Sequence, residues 1–477
     1  MNHGRRILSA TAIATILLPA AVSLAAGYES HEKMGIPQDV DPVHATYLPV
    51  MIGHDFQAIM KKDVEMKPKV MEQQKELLNE RYDLSDKPSE VMMSAGRKAV
   101  QEGVRVKLAE GMTWEKLSGM SPEEIREQGI FPEGFLPLPH AKHETGGQVI
   151  PPKQIEEISR LEDRNLKRFD VAFDLPDHLL PEFPPPIFLT SRPDLGDVSQ
   201  GKLLSIKNYY GIMHGIITPV QMEGLRLLLT PFPQQQFNQT EDRKVEEPTL
   251  GISCLDCHSN GHTNAAFHLN PDTRPHIARL RLDTVSLRGL YNQQIHGSKR
   301  SLRSVEDFTE FEQRTAYFDG DHVTAAKKGV HLPDRSSQVA MMAQMQNMFD
   351  FPPAPKLDVF GRLDPDKATQ QELQGEQIFF GKGRCAACHP APFYLDDKMH
   401  DLQVDKYYKP HMSNNKWITS VGPIKTFTLR GIKDSPPYMH DGRLMTLEDT
   451  VEFFNLVTDL KLDRDEKQAL TAFLRTL

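Results

Sequence analysis

The four cysteines of the chain fall in two copies of one pentapeptide, Cys254-Leu-Asp-Cys257-His258 and Cys385-Ala-Ala-Cys388-His389. Two thiols three positions apart can each add across a vinyl group of one porphyrin, and the adjoining imidazole then lies beneath the iron as its proximal ligand. Each motif therefore reads as a covalent c-type haem site. Cys254, Cys257 and His258 would hold haem 1, and Cys385, Cys388 and His389 would hold haem 2. A four-thiolate zinc site, the competing use of paired Cys-x-x-Cys, sets its pairs about 15–20 residues apart, whereas more than a hundred residues intervene here. Zinc also gives no reason for His at the same offset twice. A structural disulfide and a redox dithiol are the remaining, weaker alternatives.

The first residues bear on the compartment. Arg5-Arg6 precedes an apolar run from Ile7 to Ala26 whose small residues suit cleavage near Ala25 or Ala26, the pattern of a secretory signal peptide. Ser9, Thr11, Thr15 and Pro19 interrupt the run and no basic stop follows it, which weakens the reading as a membrane anchor. We expect a soluble periplasmic protein that does not span the membrane. The mature chain is too long for one core, and 35 prolines point to long irregular connections. A formal charge of −9 without a basic block argues against nucleic acid as a partner.

The region after each haem motif repeats without a gap. Leu287-Arg288-Gly289 through Ser304-Val-Glu-Asp-Phe-Thr-Glu-Phe311 matches Leu429-Arg430-Gly431 through Thr446-Leu-Glu-Asp-Thr-Val-Glu-Phe453 at a constant offset of 142. A weaker match precedes the haems, where Thr218-Pro-Val-Gln-Met-Glu-Gly224 resembles Thr369-Gln-Gln-Glu-Leu-Gln-Gly375. Each unit would comprise a leading helix, a haem-binding turn, a loop over the distal face and a closing helix capped by Ser304 or Thr446, with acids in its first turn. A last helix behind Asp463 should bury Leu470, Phe473, Leu474 and Leu477 on one face. The Met341, Met342, Met345 and Met348 spacing reads as core packing rather than ligation, and Lys61 to Tyr82 reads as helical. The Pro-rich Phe351-Pro-Pro-Ala-Pro-Lys356 reads as the linker between units. The expected fold is mainly α: two tandem cytochrome c-like haem domains, residues 216–355 and 356–477. They follow a signal peptide over 1–25 and a Pro-rich N-terminal region of unknown fold over 26–215.

The second unit resembles the C-terminal domain of the bacterial di-haem cytochrome c peroxidase and MauG superfamily. The residues that carry the resemblance are Gly375 to Phe380, Gly383-Arg-Cys-Ala-Ala-Cys-His389, Met399-His400-Asp401 and Leu429-Arg-Gly-Ile-Lys-Asp-Ser-Pro-Pro-Tyr-Met-His-Asp-Gly-Arg443. The resemblance covers about 216–477 and is weaker in the first unit. It implies that haem 1 activates hydrogen peroxide while haem 2 relays electrons, with a small periplasmic redox protein as donor or acceptor. The family's distal catalytic Glu falls on Glu306 and its distal Gln on His296. Glu306 could move a proton from the inner to the outer peroxide oxygen, or simply stabilise a helix start. His296 could be a proton-transfer group, an iron ligand or a loop histidine.

The chain also departs from the family. The usual sixth ligand of haem 2 falls on Phe454, which cannot bind iron, so Met439, His440 and Met445 become the candidate replacements. The tryptophan that commonly lies between the haems is missing, since the only tryptophans are Trp114 and Trp417. An inter-domain calcium, bound in the family through backbone oxygens, would sit near Ser435 and Pro437, and the sequence leaves it open. The reading is a periplasmic di-haem c-type oxidoreductase that reduces peroxide or uses it to oxidise a partner. Its rival is a di-haem electron carrier with no chemistry of its own.

Overall fold

The computed structural model describes residues 147–164, 180–234, 249–269, 281–318, 334–402 and 423–477, apart from positions 300, 441, 443, 445 and 459, together with short strands and a few positions elsewhere. The expected signal peptide, Trp114 and Met445 lie outside the described residues, as does the helix expected from Lys61 except for Tyr82, which opens a two-residue strand. All described residues belong to one compact body, residues 71–477.

Seven helices of seven residues or more frame it among the described residues: α1 Pro152–Glu162, α2 Pro219–Leu229, α3 Val305–Phe318, α4 Ala340–Gln346, α5 Gln370–Phe380, α6 Leu447–Val457 and α7 Arg464–Leu474. Their starts follow from local chemistry. Thr218, Thr369 and Asp463 each accept a hydrogen bond from the third backbone N–H of their helix, and the side chain there, of Gln221, Glu372 or Glu466, accepts one from the backbone N–H of the cap. Ser304 and Thr446 cap α3 and α6 by accepting from Asp307 N and Asp449 N.

These helices build two cores. The first gathers α2 and α4 around Leu225, Leu228, Met342 and Met345, and draws equally on the region before residue 216, through Ile150, Ile155, Ile158, Ile187, Leu189 and Leu204. Described residues from Ile150 to Leu204 thus pack into the core of the first unit. The second core packs α5, α6 and α7 around Phe379, Val451 and Phe473, and buries the predicted face of Leu470, Phe473, Leu474 and Leu477. Helices cross closely in both units: a Cβ on Gly224 would stand 2.0 Å from Met341 O, and one on Gly375 would stand 1.9 Å from Ala469 O.

Small antiparallel sheets flank the haem motifs. Strands β1 Gly147–Val149, β2 Phe267–Leu269 and β3 Arg281–Asp283 form one sheet with β2 in the middle, and β4 Met399–His400 pairs β5 Ile424–Lys425 in the second unit. The Leu-Arg-Gly turn that follows each hairpin needs glycine, because Gly289 and Gly431 take φ of 78° and 70°. The expected linker is not loose. Phe351 and Pro352 are buried, and Phe351 meets Tyr291 from the first unit and Phe393 from the second at centroid distances of 6.3 and 6.5 Å.

Candidate haem sites

In the first site Ser253 caps a single helical turn, Cys254–Cys257, which sets the two sulfurs on one side of the chain. Asp256, between them, closes the turn by accepting from Ser253 N at 2.7 Å. Its two oxygens also receive Nη1 and Nη2 of Arg164 at 2.8 Å each, and Arg164 reaches Glu162 at 2.6 Å. Gln154 Nε2 donates to Asp256 O at 2.8 Å. The Cys254–Cys257 turn is therefore held by α1 and the residues just after it, a part of the chain in which sequence reading found no site.

Neither sulfur pair is joined as a disulfide. Burial pushes the Cys254 thiol up to about 12, with the Glu312 and Asp256 carboxylates adding to it, and burial also holds Cys257 well above the ordinary thiol value. Cys385 is likewise pushed up to about 12 by burial.

The two histidines are fixed alike. His258 Nδ1 lies 2.8 Å from Val285 O, and His389 Nδ1 lies 2.8 Å from Tyr394 O. A carbonyl only accepts, so Nδ1 carries the proton in both rings and the Nε2 lone pair is left to face an iron. Burial lowers His258 to about 4 and also lowers His389, which keeps both imidazoles neutral as ligation requires. Paired thiols and a neutral, oriented imidazole at each motif fit a covalently bound haem.

An open cavity lies at the first site. Its walls include His258, His296, Phe308, Phe311, Glu312 and, from the second unit, Lys425. His296 is 4% exposed, and burial, with Lys425 adding, lowers it to about 4, so it is an uncharged base at neutral pH. It sits in a loop closed by a bridge to Leu302, and the equivalent bridge in the second unit joins Tyr438 to Leu444. Tyr438, a buried phenol whose pKa is raised by burial, thus stands where His296 stands in the first unit.

Other expected positions scatter. Glu306 occupies the first turn of α3, half-buried, beside Val305; Val305, Phe308 and Glu312 line the cavity and Glu306 lies round the helix from them. Met439 packs on the second core with φ of 72°, and His440 is 2% exposed with its carbonyl accepting from Asp283 N. Phe454 packs on the second core edge-to-face with Phe453. Near haem 2, His400 Nε2 lies 2.7 Å from Asp396 Oδ2, and the Asp396 hydrogen bond is the chief cause raising His400 to about 9. Cys388 stands within 4.8 Å of both, a donor set that loses its sulfur once Cys388 is a thioether. Sequence reading also missed His262, whose Nε2 donates to Asp434 O of the second unit at 2.7 Å while Ser286 meets its Nδ1.

No protein-family model matches the chain. Two Cys-x-x-Cys-His motifs on a mainly helical scaffold are the candidate haem-attachment sites, and the sequence is similar to cytochrome c peroxidases and MauG. It is 30% identical to the cytochrome-c peroxidase IdrP2 of Denitromonas iodatirespirans, over 25% of this chain and 43% of that protein. It is 31% identical to the cytochrome c551 peroxidase of Nitrosomonas europaea over 26% and 39%, and 30% identical to the methylamine utilization protein MauG of Methylorubrum extorquens over 22% and 33%. The match spans less than half the length of these relatives. Among solved structures, a MauG-like protein associated with microbial copper homeostasis aligns with 55% of this chain and 90% of its own at 16% identity and a TM-score of 0.38. Kuenenia stuttgartiensis hydrazine synthase aligns with 58% and 93% at 19% identity and a TM-score of 0.34. The chain is related, at low identity, to the di-haem cytochrome c peroxidase and MauG superfamily.

Proposed function

We propose that the protein is an exported, periplasmic di-haem c-type oxidoreductase that reduces hydrogen peroxide or uses it to oxidise a partner, with the first site reactive and the second relaying electrons. The observation that carries this reading is the cavity at His258, which contains an uncharged imidazole, His296, besides the ligand itself. When bound, haem supplies a redox-active iron; reduction of peroxide to two waters consumes two electrons and two protons. His258, with Nδ1 bonded to Val285 O, would hold the group through Nε2. His296, uncharged on the cavity wall, would accept a proton from peroxide and give it back. Glu306, on which the family's distal acid falls, is our candidate for a second acid, carried by the resemblance and not by the cavity walls, which it does not line. The packed rings of Tyr291, Phe351 and Phe393 provide a contact path between units in place of the family's tryptophan. Met439 and His440 remain our candidates for the sixth ligand of haem 2, as does Met445, and calcium would sit at the backbone of Ser435 and Pro437 beside the His262–Asp434 hydrogen bond.

One observation favours the rival reading: two histidines face one cavity, and His296 bound to iron would give a closed electron carrier. Electron paramagnetic resonance of the resting protein separates them, since the enzyme requires a high-spin or exchangeable haem 1 and the carrier shows two low-spin haems. In the enzyme, Glu306→Gln should retain both haems and slow peroxide turnover by roughly 10²–10⁴-fold. Unchanged turnover would return Glu306 to a helix-terminal role and leave His296 as the proton carrier.

A further inference from the structure

The contact between the two haem units is reciprocal. Asp283 N donates to His440 O at 2.8 Å, and Lys425 N donates to Ser298 O at 2.9 Å. This is one contact made twice, because Lys425 lies 142 positions after Asp283 and His440 lies 142 after Ser298. Each unit sets the end of a hairpin strand, β3 or β5, against the other's distal loop. The exchanged residues are opposite in sign, a carboxylate from the first unit and an ammonium from the second.

Lys425 is 4% exposed and lines the cavity that contains His258 and His296. Its Nζ donates to Gln293 Oε1 and lies 5.1 Å from the centroid of Phe427. Burial lowers its pKa to about 7, opposed by Asp397, and the cavity walls also carry Asp283, Lys299 and Glu312. A buried ammonium met by a neutral amide and an aromatic face is a costly arrangement unless an anion joins it. Haem brings two carboxylates into this space.

We propose that Lys425 is a positioning residue supplied across the interface, pairing with a carboxylate of the haem seated in the first unit and keeping that haem easier to reduce. The inference rests on the haem reading above. A cation held near the iron disfavours the more positive ferric state, so its removal must lower the midpoint. The test is a spectroelectrochemical titration of the holoprotein at pH 6, with the two midpoints assigned by paramagnetic resonance. Lys425→Met should keep two covalent haems and shift the haem 1 midpoint downward with haem 2 unmoved, and Lys425→Arg should restore the wild-type value. An unmoved or raised haem 1 midpoint in the Met variant, or an Arg variant displaced as far as the Met variant, overturns the proposal. Should Lys425→Met fail to mature, Lys425→Gln against Lys425→Arg makes the same comparison. Failure of the haem reading itself is a separate result, seen as wild-type protein without covalent haem.

Discussion

Asp256 is an interior residue of the first attachment motif, and nothing in Cys254-Leu-Asp-Cys257-His258 marks it as more than a spacer. In the fold its carboxylate is 2% exposed and takes both terminal nitrogens of Arg164, itself 13% exposed. Truncating one partner of a buried pair leaves the other charge without compensation, at a cost of about 3–5 kcal/mol. We therefore expect Arg164→Met to destabilise the first unit by about 3 kcal/mol, read from guanidinium denaturation followed in the Soret band. Combining it with Asp256→Asn should cost less than the sum of the two single changes, because the double variant no longer leaves the Asp256 carboxylate alone; Glu162, the other buried partner of Arg164, loses its arginine in both the single and the double variant. A midpoint equal to wild type in Arg164→Met would show that the pair contributes nothing. The pairing could not be read from the chain: 92 positions separate the partners, and Arg164 lies in a stretch with no motif.

At the scale of elements, the repeat was legible through its caps and glycines. Thr218 with Gly224 and Thr369 with Gly375 mark equivalent helices, and the structure gives both the same capping box and the same close crossing. The crossing partners were not legible, because a glycine announces that something approaches without saying what. The partner proves to be α4 for Gly224 and α7 for Gly375. Gly375→Ala would gain helix propensity of about 1 kcal/mol, yet its Cβ would press on a backbone carbonyl that no rotamer can clear. We expect a net loss of about 3 kcal/mol as α5 and α7 move apart, measured by thermal unfolding of the holoprotein. Gly211→Ala is the control, since a Cβ there meets nothing within 4 Å. A Gly375 variant as stable as that control would refute the crossing.

At the scale of the whole molecule the prediction is one of stoichiometry. Thioether bonds survive unfolding while axial ligation does not, so two haems should stay with the denatured chain. Cys385→Ala with Cys388→Ala should remove one of them and leave the first. Release of haem from wild-type protein into acidified organic solvent would refute covalent attachment. What the chain determines alone is local: which residues can take haem, which imidazole follows each pair, where helices are capped and where one unit repeats the other. Such features depend on residues a few positions apart and on the geometry of a single turn. Only the tertiary structure decides that Gln154 and Arg164 clamp the Cys254–Cys257 turn, that Phe351 joins the two units and that Lys425 enters its neighbour's cavity. These pairings join residues scores of positions apart. They exist because two similar units bury their faces against each other, and the pattern within one unit does not specify which side chain of the other it will meet.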